Sequence, residues 1–178
     1  MAAVPPMLEI ALKLKPDQAT FVPERREELT TEGGLKLEGE REDMAQAIDI
    51  LKEEGILVSL FVDPDLDLIK KAHKLKADAV ELNTAAYSEA KTLQNEDEQL
   101  EKIQSCARLA EKLEMRVHAG HGLNYRNAQK IASILEIEEL NIGHSIIARA
   151  VMVGMEKAVR EMKDLMERSS LAAYIGEK

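Results

Sequence analysis

Apolar positions along this chain switch repeatedly between helical and extended spacing, and the switches mark its elements. After Pro5-Pro6, the residues Met7, Ile10, Ala11 and Leu14 recur at helical spacing until Pro16 ends the pattern. Gln18–Val22 is a short strand, and Pro23–Gly39 a long polar loop. A helix is expected from about Glu40 to Glu54, with Met44, Ile48 and Leu51 on one face and Gly55 as its stop. Ile56–Val62 (ILVSLFV) reads as the clearest buried strand. The next helix starts at Asp63-Pro64 and carries Leu68, Ile69, Ala72 and Leu75. Ala79–Leu82 is the third strand, followed by a polar loop from Asn83 to about Asn95. Leu100, Ile103, Ala107, Ala110 and Leu113 mark another helix.

Met115–Ala119 is the fourth strand, with a helix expected over Asn124–Leu135. Glu139–Ile142 is the last strand, with helices over Ser145–Val153 and Met155–Met166. The chain then reads as one domain over 1–168, with a loosely held tail from Ser169 to Lys178. This order makes five β→α units without hairpin signals between them. Strands separated by helices make a parallel sheet with right-handed crossovers. Two α/β architectures satisfy that pattern, an open doubly wound sheet and part of a (β/α)8 TIM barrel. The polar and glycine-rich segments follow strands, at Pro23–Gly34, Asn83–Lys91, Gly120–Asn124 and Gly143–Ser145, which is the face where barrels place their active sites. A whole barrel typically takes about 250 residues. At 178 residues the chain is about three units short of one.

Composition narrows the function classes. The formal charge is −9, with basic residues scattered among acidic ones, which argues against nucleic acid or an anionic membrane as the main partner. No apolar run approaches the roughly 20 residues that span a bilayer. Residues Met1–Lys15 lack the pattern of a secretory signal. Cys106 is the one cysteine, which excludes a disulfide framework and fits a reducing cytoplasm. It reads as a small buried side chain rather than a nucleophile.

The chemistry is expected around Val117-His118-Ala119-Gly120-His121-Gly122-Leu123-Asn124-Tyr125, where a strand breaks into glycines around an imidazole. Glycine lets backbone approach a ligand with its N–H groups free for an anion, and histidine exchanges protons near neutral pH. A similar turn follows at Asn141-Ile142-Gly143-His144-Ser145. His121, between glycines, is poorly explained by core packing. Glu81 lies inside an apolar strand, where an unpaired carboxylate is costly, and this favours a site role. His144 is balanced between a cap-region residue and a ligand contact through its backbone N–H. His118 reads as a packed, hydrogen-bonded strand histidine. A zinc site from His118, His121 and His144 is not expected, because residues three apart on a strand point to opposite faces. Tyr87 and Asn124 read as structural, His73 as a solvated helix residue. Met152, Met155, Met162 and Met166 read as packing or subunit contacts.

Five strings in order, FVPERREELTTEGGL, VSLFVD, VELNTAAYSEAK, VHAGHGLNYRN and ELNIGHSIIARAV, resemble the pyridoxine 5′-phosphate synthase family of vitamin B6 biosynthesis. The resemblance runs from Met1 to about Arg168. It implies a (β/α)8 barrel of which these are strands four to eight. The implied reaction condenses 1-deoxy-D-xylulose 5-phosphate with 3-amino-2-oxopropyl phosphate, giving pyridoxine 5′-phosphate, inorganic phosphate and water, without an organic cofactor. By the same resemblance His121 is the proton donor and Glu81 a carboxylate that stabilises a transition state. Thr30, Gly122, Gly143 and His144 would contact substrate or phosphate. The resemblance also implies a homo-oligomer.

The family's first three strands, which carry a phosphate-binding cluster, a histidine-arginine pair and a glutamate base, have no counterpart here. Met1-Ala2 matches the two residues directly after that glutamate. A fragment of a longer protein or a start at an internal methionine is therefore expected, with two open strand edges and impaired activity for this chain alone. The alternative reading is a non-catalytic truncated barrel that binds phosphate or assembles with another chain.

Overall fold

A computed structural model describes residues 1–23, 33–37 and 42–176. Its centre is a five-stranded, all-parallel sheet in chain order: β1 (Gln18–Phe21), β2 (Leu57–Val62), β3 (Ala79–Asn83), β4 (Arg116–Gly120) and β5 (Glu139–Asn141). Strands ordered as they occur in the chain, with helices between them, make a curled half-barrel rather than a doubly wound sheet, whose strand order reverses.

The helices are α1 (Pro5–Leu14), α2 (Glu42–Glu53), α3 (Leu66–Lys74), α4 (Ala85–Ser88), α5 (Leu93–Lys112), α6 (Ala128–Ala132), α7 (His144–Val153) and α8 (Met155–Gly176). Their starts follow local chemistry. Asp65 caps α3 by accepting hydrogen bonds from the N–H groups of Asp67 and Leu68, and Thr92 caps α5 by accepting from Asn95.

Alternation along the strands gives the sheet two different faces. Val58, Leu60, Val62, Val80, Leu82, Val117 and Ala119 point to the helices and form the core with Ile48, Leu51, Ile69, Ile103 and Ile131. The other face is concave. There the register aligns Phe61 with Glu81, Glu81 with His118, and His118 with Glu139. Ser59 and Ala79 lie on the same face one pair earlier.

The outer edge of β1 is already engaged. The α-ammonium of Met1 donates to the Thr20 carbonyl at 2.6 Å, and the Val22 N–H donates to the Met1 carbonyl at 3.0 Å. These bonds flank Phe21 as in a parallel ladder, so Met1 sits as the end of a strand beside β1.

Several elements differ from the sequence expectation. The segment read as a loop after β3 contains α4, and α5 starts at Leu93, well before Leu100. The helix expected over Asn124–Leu135 is regular only at Ala128–Ala132. Asn side chains take over its first turn: Asn127 Oδ1 accepts from the Asn124 N–H, and Asn124 Oδ1 from that of Arg126. Helix α8 continues through the segment read as a loose tail, as far as Gly176, with Ser169 Oγ bonded to the Leu165 carbonyl.

Candidate active site

The site is built where the strands end. Strand β4 finishes at Gly120, and the next two residues, His121 (φ 82°) and Gly122 (φ 75°), take left-handed backbone conformations. For His121 that conformation costs of order 1–3 kcal/mol and needs outside support. Thr84 supplies it: Oγ1 donates to the carbonyls of Gly120 (2.8 Å) and His121 (2.5 Å), while its N–H also reaches Gly120. Ser88 Oγ adds a longer bond to the His121 carbonyl at 3.4 Å. At Gly122 a Cβ would lie 2.7 Å from Ser88 Cβ, so only glycine lets the turn close on α4. The His121 ring rests against Phe61, with centroids 6.5 Å apart and a 53° tilt.

Glu81 reaches the same region from β3. A Cβ on Gly120 would fall 2.6 Å from Glu81 Oε1, so the carboxylate occupies the space that glycine leaves open. Burial raises the Glu81 carboxyl pKa above the ordinary carboxylate range, against a hydrogen bond from Asn141; Glu139 raises it further and the Met1 ammonium lowers it. A carboxyl group held partly out of water at such a turn is suited to proton transfer.

The second turn follows β5. Gly143 precedes α7 and has no side chain to cap it, and His144 opens the helix on the exposed surface. Backbone N–H groups at such a helix start suit an anion. The two turns are tied together by Ser145 Oγ, which donates to the Leu123 carbonyl at 2.9 Å. His121, Gly122, Gly143 and His144 thus all lie at the C-terminal end of the sheet, and Glu81 reaches toward it from the middle of β3. Thr30 lies outside the described residues.

Three features were not apparent in the sequence reading. Asn141 is the hydrogen-bond partner of Glu81. Asp63 Oδ1 accepts from Asn83 Nδ2 (2.8 Å) and from the Gly34 N–H (3.0 Å), and the Leu35 N–H bonds the Phe61 carbonyl at 2.8 Å. These bonds fasten residues 33–37 across the end of β2, and the only sequence signal was the position of Asp63 and Asn83 at strand ends. The third is His118. It is fully buried, yet neither ring nitrogen has a hydrogen-bond partner among the described residues, contrary to the hydrogen-bonded histidine expected from sequence. The flanking strands place Glu81 and Glu139 opposite it, but neither hydrogen-bonds the ring.

The bland readings of other residues agree with their surroundings. Cys106 is buried, with its thiol pKa pushed up to about 11 by burial. Tyr87 is buried and donates to the Asn127 carbonyl at 2.8 Å. No three His, Cys, Asp or Glu side chains converge as a metal site would require among the described residues, and no described helix is long and apolar enough to cross a membrane.

The family model described as "Pyridoxal phosphate biosynthesis protein PdxJ" matches residues 1–168. The chain belongs to this family. It is 52% identical over 166 residues to a pyridoxine 5′-phosphate synthase of Syntrophotalea carbinolica, covering 93% of this chain and 70% of that protein. A synthase of the same name from a Geobacter species is 51% identical over the same shares, and one from Geotalea uraniireducens is 50% identical over 94% and 70%. PdxJ relatives are therefore enzymes of pyridoxine biosynthesis, and they are longer than this chain. Among solved structures, the crystal structure of the Amycolatopsis orientalis BexX/CysO complex superposes with a TM-score of 0.56 at 14% identity, over 94% of this chain and 63% of that one. At that identity the likeness concerns the fold alone.

Proposed function

We propose that this PdxJ-family chain carries the C-terminal part of a pyridoxine 5′-phosphate synthase site, acting on 1-deoxy-D-xylulose 5-phosphate and 3-amino-2-oxopropyl phosphate. The observation that supports it best is the strained His121, held by Thr84 and Ser88 directly after Gly120, the residue over which the partly buried Glu81 lies. Ring closure through imine formation and dehydration needs a group that gives and takes protons, and His121 fills that role. Glu81 stabilises developing positive charge. The N–H groups of Gly122 and of Gly143 and His144 at the start of α7 bind phosphate, with Thr30 as a further substrate contact. The reaction needs no organic cofactor and no metal, and a reducing cytoplasm is its setting.

The 178 residues alone are impaired in this reading, since about 30% of the length of these relatives has no counterpart here. One observation favours the second reading, a non-catalytic phosphate-binding or assembling module: α7 buries none of its residues and exposes Ile147, Val151 and Met152. These side chains also support a homo-oligomer. The deciding experiment is pyridoxine 5′-phosphate formation by the purified chain with both substrates. Product that disappears in His121→Ala supports catalysis by this chain. A folded chain that binds inorganic phosphate but yields no product supports the module, and one that does neither removes both.

A further inference from the structure

The concave face holds two polar side chains that the proposed chemistry does not use. His118 and Ser59 are both completely buried, and Nδ1, Nε2 and the Ser59 Oγ all lack hydrogen-bond partners among the described residues. Buried polar groups are nearly always satisfied, so three such atoms on one face call for a ligand with hydrogen-bonding capacity. Alternation fixes the face: Val58 and Leu60 on β2, and Val117 and Ala119 on β4, point to the helices, so Ser59 and His118 point inward.

The register narrows the location further. His118 is the direct partner of Glu81 on one side and of Glu139 on the other. Adjacent strands run about 4.8 Å apart, so side chains of partnered residues on one face are neighbours. The imidazole nonetheless makes no direct hydrogen bond to either carboxylate. The charged groups acting on it are Glu139 on β5, Arg116 on its own strand, and Glu138; burial, with Arg116 in the same direction, outweighs the two carboxylates and favours the neutral ring. Around Glu81 stand Asn141 and Glu139 from β5 and the Met1 ammonium from the β1 edge. A neutral imidazole presents one donor and one acceptor. The small molecule that satisfies a ring nitrogen and a nearby carboxylate together is water.

We propose that His118 is a positioning residue, which holds an internal water inside the half-barrel and through it hydrogen-bonds the Glu81 carboxylate. This rests on the reading of Glu81 as a site residue, but the site itself does not depend on this chain being active. A hydrogen bond donated by such water favours the ionised form of Glu81 and fixes which way its carboxylate faces.

The test uses the full 178-residue chain. A crystal structure at a resolution that shows ordered solvent should place water at about 3 Å from a His118 ring nitrogen and from a Glu81 oxygen. Carbon-13 NMR of the labelled glutamate carboxyl should show the Glu81 titration moving to higher pH in His118→Phe and returning toward wild type in His118→Asn, which keeps a donor and an acceptor. His118 nitrogens packed only against carbon, or a Glu81 titration identical in both variants, would overturn the proposal. Should His118→Phe not fold, the solvent positions and the His118→Asn titration decide it. A chain that has this water but forms no pyridoxine 5′-phosphate would count against the proposed activity while leaving the site standing. Full activity with an unaltered Glu81 titration in both variants would do the reverse.

Discussion

Glu81 Oε1 lies only 2.6 Å from where a Cβ of Gly120 would be, so the carboxylate of β3 covers the last residue of β4. The nearest atom is the end of a flexible side chain, which can move aside. Gly120→Ala should therefore fold with a loss of no more than about 1–2 kcal/mol, much of it from the 3.0 Å approach to the Cβ and backbone oxygen of Asn141, which yield less readily. Urea unfolding measures that loss. The displaced carboxylate should appear as an altered Glu81 titration, and an unaltered one would mean that Gly120 does not shape the site.

Gly34 offers the contrasting case. A Cβ there would meet backbone atoms only, at 2.3 Å from the Asp63 nitrogen and 2.6 Å from the Val62 carbonyl carbon. Backbone at a strand end cannot step aside as a side chain does. Gly34→Ala should cost about 1–3 kcal/mol, more than Gly120→Ala, by releasing the Gly34–Asp63 and Leu35–Phe61 hydrogen bonds. Equal losses from the two substitutions would refute this ranking.

His121 pays a conformational penalty that a glycine would not. His121→Gly should exceed His121→Ala in stability by about 1 kcal/mol, because alanine keeps the Cβ that opposes positive φ. Both should lower pyridoxine 5′-phosphate formation, where it is measurable, by about 10²–10⁴-fold. A stable but silent His121→Gly protein would separate the folding cost of this residue from its use.

His118 sets a pH dependence of stability. Its folded pKa is depressed, chiefly by burial, so the native state resists protonation that the unfolded chain accepts near 6.5. Its contribution is complete above that value and is lost as pH falls through the folded pKa. Glu81, raised by burial, has the opposite sign: its contribution is present below 4.5 and lost as pH rises through its folded pKa. Urea midpoints taken downward from pH 7.5 should fall more steeply for wild type than for His118→Asn. Parallel curves would show that His118 does not titrate with unfolding.

Asp78 joins three elements through one carboxylate. Oδ2 accepts from the Val58 N–H at 2.8 Å, and Oδ1 from Lys52 Nζ at 2.7 Å. Asp78→Ala strands a partly buried backbone donor and should cost about 1–3 kcal/mol. Lys52→Ala removes only the more exposed pair and should cost under about 1 kcal/mol. Thermal or urea unfolding of the two variants distinguishes a carboxylate that satisfies β2 from one that merely balances a lysine.

The sequence was most readable where burial dictates pattern. The run in β2 had to be a strand shielded on both faces, and Leu100, Ile103, Ala107, Ala110 and Leu113 had to share a helix face. Glycines around His121 and at Gly143 announced turns, and the chain's order then placed both at one end of the sheet. Less readable were features decided by competition or by distance along the chain. Asn124 and Asn127 carry no periodic signal that they would unwind the start of α6. Nothing after Arg168 stops a helix before Gly176, but its exposed Leu171, Tyr174 and Ile175 gave no amphipathic stripe. The bond from Asn141 to Glu81 and the isolation of His118 arise from strand register, which no single segment encodes.

The placement of Met1 reaches into practical handling of the protein. Because Met1 pairs opposite Phe21, any residue attached ahead of it falls opposite Thr20, with its side chain turned to the concave face. An affinity tag fused there would enter the half-barrel instead of trailing into solvent. It would also replace the positive amine near Glu81 with a neutral amide, removing one of the influences that keep that carboxylate ionised. A handle at the C-terminal end would leave that amine in place.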